Sequence, residues 1–269
     1  MELADAVEFE VRGDGEAVLF IHGAIVADSF RPLMDEPALS DYRRIRYRRR
    51  GYGASLAPSS PPSIDEHVAD ALTLLRRLSA DAAHVVGHSG GGPIALQLAL
   101  DAPEVVRSLV LLEPAFMNGA MAAAFSDLMA PLVEMHRGGD SGKAVHLWMR
   151  PGAGSDWQTE FEKRLPGSTE QAVRDAGGTF DTDLPAWCAW DFDRAGASRL
   201  TQPVLYLVSA KSAAKVEPVT KMFLADVPHA ELAVIADADH NMQVMKAAQV
   251  AKTIGQFLHR YPMPTAIRA

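Results

Sequence analysis

Residues 87–91 read Gly-His-Ser-Gly-Gly, a G-x-S-x-G pattern. The run AHVVG (83–87) before it is apolar enough for a strand, and residues 90–100 after it are apolar and helical. A serine flanked by glycines between a strand and a helix is what a nucleophile elbow requires, because the turn is too tight for bulky neighbours. The Ser89 hydroxyl is then held at the strand's tip, and the helix that follows points its free amides at the same place. A hydroxyl is a weak nucleophile until a base takes its proton. Of nine histidines, His240 stands where that base is needed, in the loop Asp237-Ala238-Asp239-His240-Asn241 after the last apolar run. His229 precedes that run and His259 lies late in a helix, so both are expected at the surface. His88 adjoins the serine but should point away from it. Imidazole, with an ordinary pKa of about 6.5, suits proton transfer near neutral pH. Attack on a carbonyl also needs two amide donors for the oxyanion. The backbone N–H groups of Gly90 and of Ala24, in His22-Gly23-Ala24, are the candidates. His22 itself is read as a structural residue that holds its loop.

Short apolar runs alternating with helical patterns must position these groups. Strands are predicted at 7–11, 17–21, 43–48, 83–87, 106–112, 204–208 and 232–236. Residues 63–78 predict a helix: Ser63 and Glu66 match the S-x-x-E capping box, and Ile64, Val68, Ala71, Leu72, Leu75 and Leu78 fall on one face. A further helix is predicted over 241–259. Residues 57–62 are rich in Pro and Ser and read as loop. Strand and helix alternating at these lengths predict an α/β fold with a mostly parallel central sheet covered by helices on both faces. Residues 116–198 break the alternation and predict a helical cap. They hold all four tryptophans and lie over the sheet edge where ligands bind in open α/β sheets. The expected units are a core of 1–115 and 199–269 and a cap of 116–198. Trp148, Trp187, Trp190 and Met117 are candidate substrate-binding residues, suited to an apolar or aromatic ligand and equally to ordinary packing.

The chain has 269 residues, 48% of them hydrophobic and 22% charged, with a net charge of −8. The acidic balance argues against a nucleic-acid partner, and no run approaches the roughly 20 apolar residues that span a bilayer. The first fifteen residues lack the basic start and apolar run of a secretory leader. One cysteine, Cys188, excludes an internal disulfide, reads as a buried apolar residue and fits a reducing cytoplasm. No phosphate-cradling glycine motif is present, and no metal or organic cofactor is implied. The arginines between 43 and 50 read as a solvated strand edge paired to nearby acids. A homo-oligomer is compatible with the sequence.

Together HGA (22–24), RRRGYGAS (48–55), GHSGG (87–91) and ADADH (236–240) resemble the α/β-hydrolase superfamily over nearly the whole chain outside the cap. The resemblance implies an α/β-hydrolase fold and two-step acyl transfer to water. The expected substrate is a small, partly apolar carboxylic ester or lactone. Two positions depart from the superfamily pattern. Arg48 stands where an aspartate is usual before Gly-Tyr-Gly. The loop after VLYLV, where the triad acid usually sits, offers Ser212 in place of a carboxylate. Glu113, at the end of the strand after the nucleophile's, is the chosen acid. Haloalkane dehalogenases and zearalenone-lactonase-type enzymes are similar in placing the acid there. Glu217, Asp237 and Asp239 stay open as alternatives. Ser89 argues against dehalogenase or epoxide hydrolase chemistry, which needs an aspartate nucleophile. Carbon–carbon bond hydrolases, cofactor-free haloperoxidases and a non-catalytic ligand receptor share the fold and stay open.

Overall fold

Four strands whose residues are buried on both faces can only sit in the middle of a layered structure, and that fixes the architecture. The computed structural model describes residues 7–117 and 119–263. Its strands are β1 (Glu8–Arg12), β2 (Glu16–Ile21), β3 (Tyr42–Arg48), β4 (Ala83–His88), β5 (Val106–Leu112), β6 (Val204–Ser209) and β7 (Glu231–Ile235). They form one sheet in the order β1-β3-β2-β4-β5-β6-β7. Only β1 runs antiparallel to its neighbour. The others pair in parallel.

Alternate residues of each strand feed two cores. Leu19, Ile21, Val85, Leu109 and Tyr206 pack on one face against α2 (Ile64–Arg77) and α3 (Gly91–Asp101). Val18, Phe20, Val86, Val110 and Leu207 pack on the other, against the short α1 (Arg31–Met34) and the C-terminal helix. The capping box on α2 is formed as expected. Ser63 Oγ accepts from Glu66 N–H at 3.1 Å and Glu66 Oε2 from Ser63 N–H at 2.8 Å.

Between β5 and β6 the chain forms α4 (Gly119–Arg137), α5 (Ser141–Ala153), α6 (Trp157–Arg164), α7 (Ser168–Arg174), a π-helical turn (Gly178–Asp183) and α8 (Leu184–Ala189). Among the described residues of this stretch there is no strand. Its own apolar cluster includes Val145, Met149, Trp157, Phe161 and Phe180, and it closes on Ile25 and Val26 of the loop after β2. Residues 1–6, 118 and 264–269 of the two expected units lie outside the described residues. Among the described residues no helix is long and apolar enough to cross a membrane.

Between β6 and β7, where the sequence patterns assign no element, lies α9 (Ala213–Asp226). Its packing residues Val216, Val219, Met222 and Phe223 keep helical spacing, but Pro218 inside the helix masks the pattern. The single helix over 241–259 is two, α10 (Met242–Met245) and α11 (Ala247–His259), separated at Lys246, whose φ of −133° is not helical. Gln243 of α10 is buried and bonds His88 at 3.1 Å.

Candidate active site

β4 delivers Ser89 to its tip with φ at +51°, the left-handed conformation that a nucleophile elbow imposes on its serine. The turn is pinned from both sides. Ser89 N–H donates to Leu112 O at 3.0 Å, while Ser89 O accepts from Gly92 N–H and Ala115 N–H, each at 2.9 Å. Gly23 abuts it so closely that a Cβ there would lie 2.9 Å from Ser89 Cβ. The peptide of Ala24 therefore runs beside Ser89. Ser89, Ala24 and His240 are half-buried, in a setting where His22, Gly23, Gly90 and Glu113 are buried.

Glu113, one residue beyond β5, also has positive φ, +40°. Its N–H donates to Leu207 O at 3.0 Å, and the side chain is bonded at both oxygens. Oε1 accepts from Ser209 N–H at 2.7 Å and from Ser209 Oγ at 2.6 Å. Oε2 accepts from His240 Nδ1 at 2.6 Å. Burial pushes this carboxyl up, but the bonds from His240 and Ser209 outweigh it and hold the carboxyl below the ordinary range. The charged acid thus fixes the proton on His240 Nδ1 and leaves Nε2 free to accept one. Among the described residues no hydrogen bond joins Ser89 Oγ to His240; such catalytic bonds are often long until substrate is bound.

Of the alternative acids, Glu217 is exposed and paired with Lys221 at 2.7 Å. Asp237 is an exposed turn residue with φ +52°. Asp239 accepts from Asn241 N–H at 3.0 Å. None of them holds the His240 ring. The serine that bonds Glu113 is Ser209, the last residue of β6, and not Ser212, which precedes α9 without a side-chain capping bond. Ser209 carries no sequence signal of its own, because a strand-end serine meets Glu113 only once β5 and β6 are paired.

His88 points away from Ser89 and lies against His240, with ring centroids 4.8 Å apart. Gln243 Nε2 donates to His88 Nδ1 at 3.1 Å, and His88 Nε2 donates to the His240 carbonyl at 3.0 Å. Burial, then the neighbouring His240, push the His88 imidazole down to about 3, so it stays neutral. His22 is structural: Nδ1 donates to Gly23 O at 2.7 Å and Nε2 accepts from Arg49 N–H at 3.0 Å.

Trp187 lies on the elbow. Its Nε1 donates to Gly90 O at 3.0 Å, and a Cβ on Gly90 would sit 2.0 Å from its ring. Trp190 is occupied with packing, stacked on Phe192 and bonded through Nε1 to Gln97 of α3. Trp148 is half-buried against Phe125 and Phe180, and Met117 is half-buried just past β5. Cys188 is half-buried, not buried, and its thiol is raised by desolvation.

The arginine run is paired as expected but not wholly solvated. Arg48, in the usual aspartate position, grips Asp28 with two bonds, at 2.9 and 2.8 Å, and pairs with Glu8. Arg46 bonds Asp28 and Glu10, and Arg50 bonds Asp70. Arg49 is fully buried and pairs with the equally buried Asp183, a residue of the π-helical turn.

Four buried imidazoles, His22, His67, His84 and His88, are held below the ordinary value, burial being the largest cause for each, and they predict an acid-sensitive fold. Burial first, then nearby Arg49, holds His22 and His67 well below the ordinary value, and His88 is at about 3. The unfolded chain takes up these protons near pH 6.5 while the folded chain does not. Their contribution is therefore complete above about 6.5 and is lost as pH falls, at up to about 1.4 kcal/mol per pH unit for each ring. Thermal melts are expected to show Tm dropping steadily from pH 7.5 to 5, and a flat profile would contradict neutral burial of these rings.

A family model described as alpha/beta hydrolase fold matches residues 16–247. The chain is 29% identical over 266 residues to "Putative carbamate hydrolase RutD" of Variovorax paradoxus (strain S110), covering 96% of this chain and 98% of that protein. Among solved structures, an enol-lactonase from Burkholderia xenovorans LB400 superposes with a TM-score of 0.82 at 20% identity, covering 94% of this chain and 96% of its own. A thermophilic esterase from Thermogutta terrifontis gives 0.79 at 20% identity, covering 95% and 93%.

Proposed function

Because the chain belongs to the alpha/beta hydrolase family, we propose that it cleaves a small, partly apolar carboxylic ester or lactone through an acyl-enzyme on Ser89. The observation that carries this reading is the Glu113–His240 bond of 2.6 Å, made by a charged buried acid to the histidine placed for the elbow serine. Ser89 Oγ attacks the carbonyl carbon as His240 Nε2 takes its proton, and the oxyanion is held by the N–H groups of Ala24 and Gly90. Collapse expels the alcohol, which leaves with the proton from His240. In a lactone the alcohol stays tethered to the acyl group. Water, deprotonated by His240, then attacks the acyl-enzyme and releases the acid.

Trp187 supports an apolar acyl or alcohol group of modest size, because its buried ring walls the elbow. The carbamate hydrolase name of the 29% identical relative fits the same class, since a carbamate is also a carbonyl with a heteroatom leaving group. The test is covalent. A fluorophosphonate should modify the folded protein once, at Ser89 by peptide mapping, and pre-labelling should abolish turnover of short-chain esters and lactones. Folded protein that takes no label, or that binds esters saturably without product, would turn the reading toward a ligand receptor.

A further inference from the structure

Ala24 lies between two anchored points, and both anchors trace back to the helical segment between β5 and β6. Val26 N–H bonds back to Ala24 O at 2.7 Å, closing a γ-turn around Ile25, whose φ is +65°. A β-branched residue keeps that conformation only where its surroundings over-determine it. Here Ile25 N–H donates to Thr179 Oγ1 at 2.8 Å, across 154 residues of sequence. Tyr52 OH gives its one proton to Asp183 Oδ2. The bond of 2.8 Å between Tyr52 and Thr179 must then be donated by Thr179, whose lone pairs are left for Ile25.

On the other side, Asp183 pairs with Arg49, and Arg49 Nη2 donates to Gly23 O at 2.9 Å beside the His22 bond to the same carbonyl. The Gly23 carbonyl and the Ala24 N–H belong to one planar trans peptide and point in opposite directions. Fixing the carbonyl therefore fixes where the N–H aims. Thr179, Asp183, Tyr52, Arg49 and Ile25 are all fully buried or nearly so. The π-helical turn that carries Thr179 and Asp183 packs so tightly on the Gly51-Tyr52 turn that a Cβ on Gly178 would lie 2.8 Å from Gly51 O.

We propose that Thr179 and the Arg49–Asp183 pair are positioning residues that aim the Ala24 oxyanion donor, so that the helical segment over the sheet sets the core's competence for acyl transfer. This rests on the acyl-enzyme reading above. None of the three touches the reacting atoms, and their effect passes through the peptide on either side of Ala24.

The experiment compares wild type, T179V, T179S and Y52F in ester turnover and in the second-order rate of fluorophosphonate labelling, which builds up charge on the same oxyanion site. T179V keeps the shape and removes the acceptor. It is expected to lower kcat and the labelling rate in parallel by about 10- to 100-fold, short of the roughly 10²–10³ lost with a donor itself. KM should change by less than about threefold and the pH midpoint of kcat should stay in place, because uniform binding and the base are untouched. T179S should recover most of the rate. If T179V does not fold, Y52F, which removes the hydroxyl joining Thr179 to Asp183, is read against the same expectation. Wild-type kcat and labelling in the folded variant, or a loss that T179S does not recover, would overturn the proposal and leave the acyl-enzyme reading intact. Wild-type protein that takes no label would overturn both.

Discussion

Ser89→Ala is expected to reduce kcat by about 10⁶ while leaving the fold and substrate affinity nearly unchanged. The size follows from what remains. Without Oγ there is no acyl-enzyme, and the residue of catalysis comes from the oxyanion donors and from binding, typically about 10³–10⁴ over water. The fold should tolerate the change because alanine has the same Cβ as serine at φ +51°. The backbone bonds that pin the turn, from Ser89 N–H to Leu112 and from Gly92 and Ala115 to Ser89 O, do not involve the side chain. Equilibrium binding of a slow substrate should therefore survive, and the Tm should stay close to that of wild type. A variant that folds and keeps turnover within a hundredfold would remove Ser89 from the chemistry. It would also show that the elbow geometry, with its strained serine and close-set Gly23, serves packing alone.

Sequence patterns exposed the fold wherever the pattern is local. Strands such as β4 and β6, buried at every residue, announce themselves as unbroken apolar runs. The Ser63–Glu66 box announces the start of α2. Pro218 interrupts the helical pattern of α9, whereas the break at Lys246 between α10 and α11 leaves no mark in a pattern that runs through it. For the site, Ser89 and His240 were legible because each occupies a place dictated by strand order. Ser209 was not, since a serine at a strand's end carries no signal until the neighbouring strand is known to end in a glutamate. Thr179 and Asp183 were invisible for a stronger reason. Their partners are 154 and 134 residues away, and nothing in a helical segment marks which of its polar residues will be buried against a loop of the sheet. Arg49 shows the same limit: amid five other arginines its type implied solvent, and only the packed structure buries it on Asp183.

Glu113→Gln should lower kcat by about 10⁴, the size of loss seen when a triad acid becomes its amide. The geometry gives the reason. Glu113 Oε1 is claimed by two donors, the N–H and hydroxyl of Ser209. A glutamine must keep its carbonyl oxygen there and turn its NH₂ toward His240. That NH₂ can only donate, so His240 Nδ1 must accept, and the imidazole proton moves to Nε2. The ring is then in place but in the tautomer that cannot take a proton from Ser89. Substrate binding should be nearly unaffected, and fluorophosphonate labelling should slow along with turnover. Ser209→Ala removes one of three bonds to the carboxylate and should cost far less, about tenfold. Ser212→Ala and Asp239→Asn are expected to stay near wild type, because neither side chain bonds His240 or Glu113. Measured kcat across these four variants decides the acid. Near-normal turnover in Glu113→Gln, or a loss of similar depth in Asp239→Asn, would take the role from Glu113. It would also require that the short bond to His240 serve only to hold the loop.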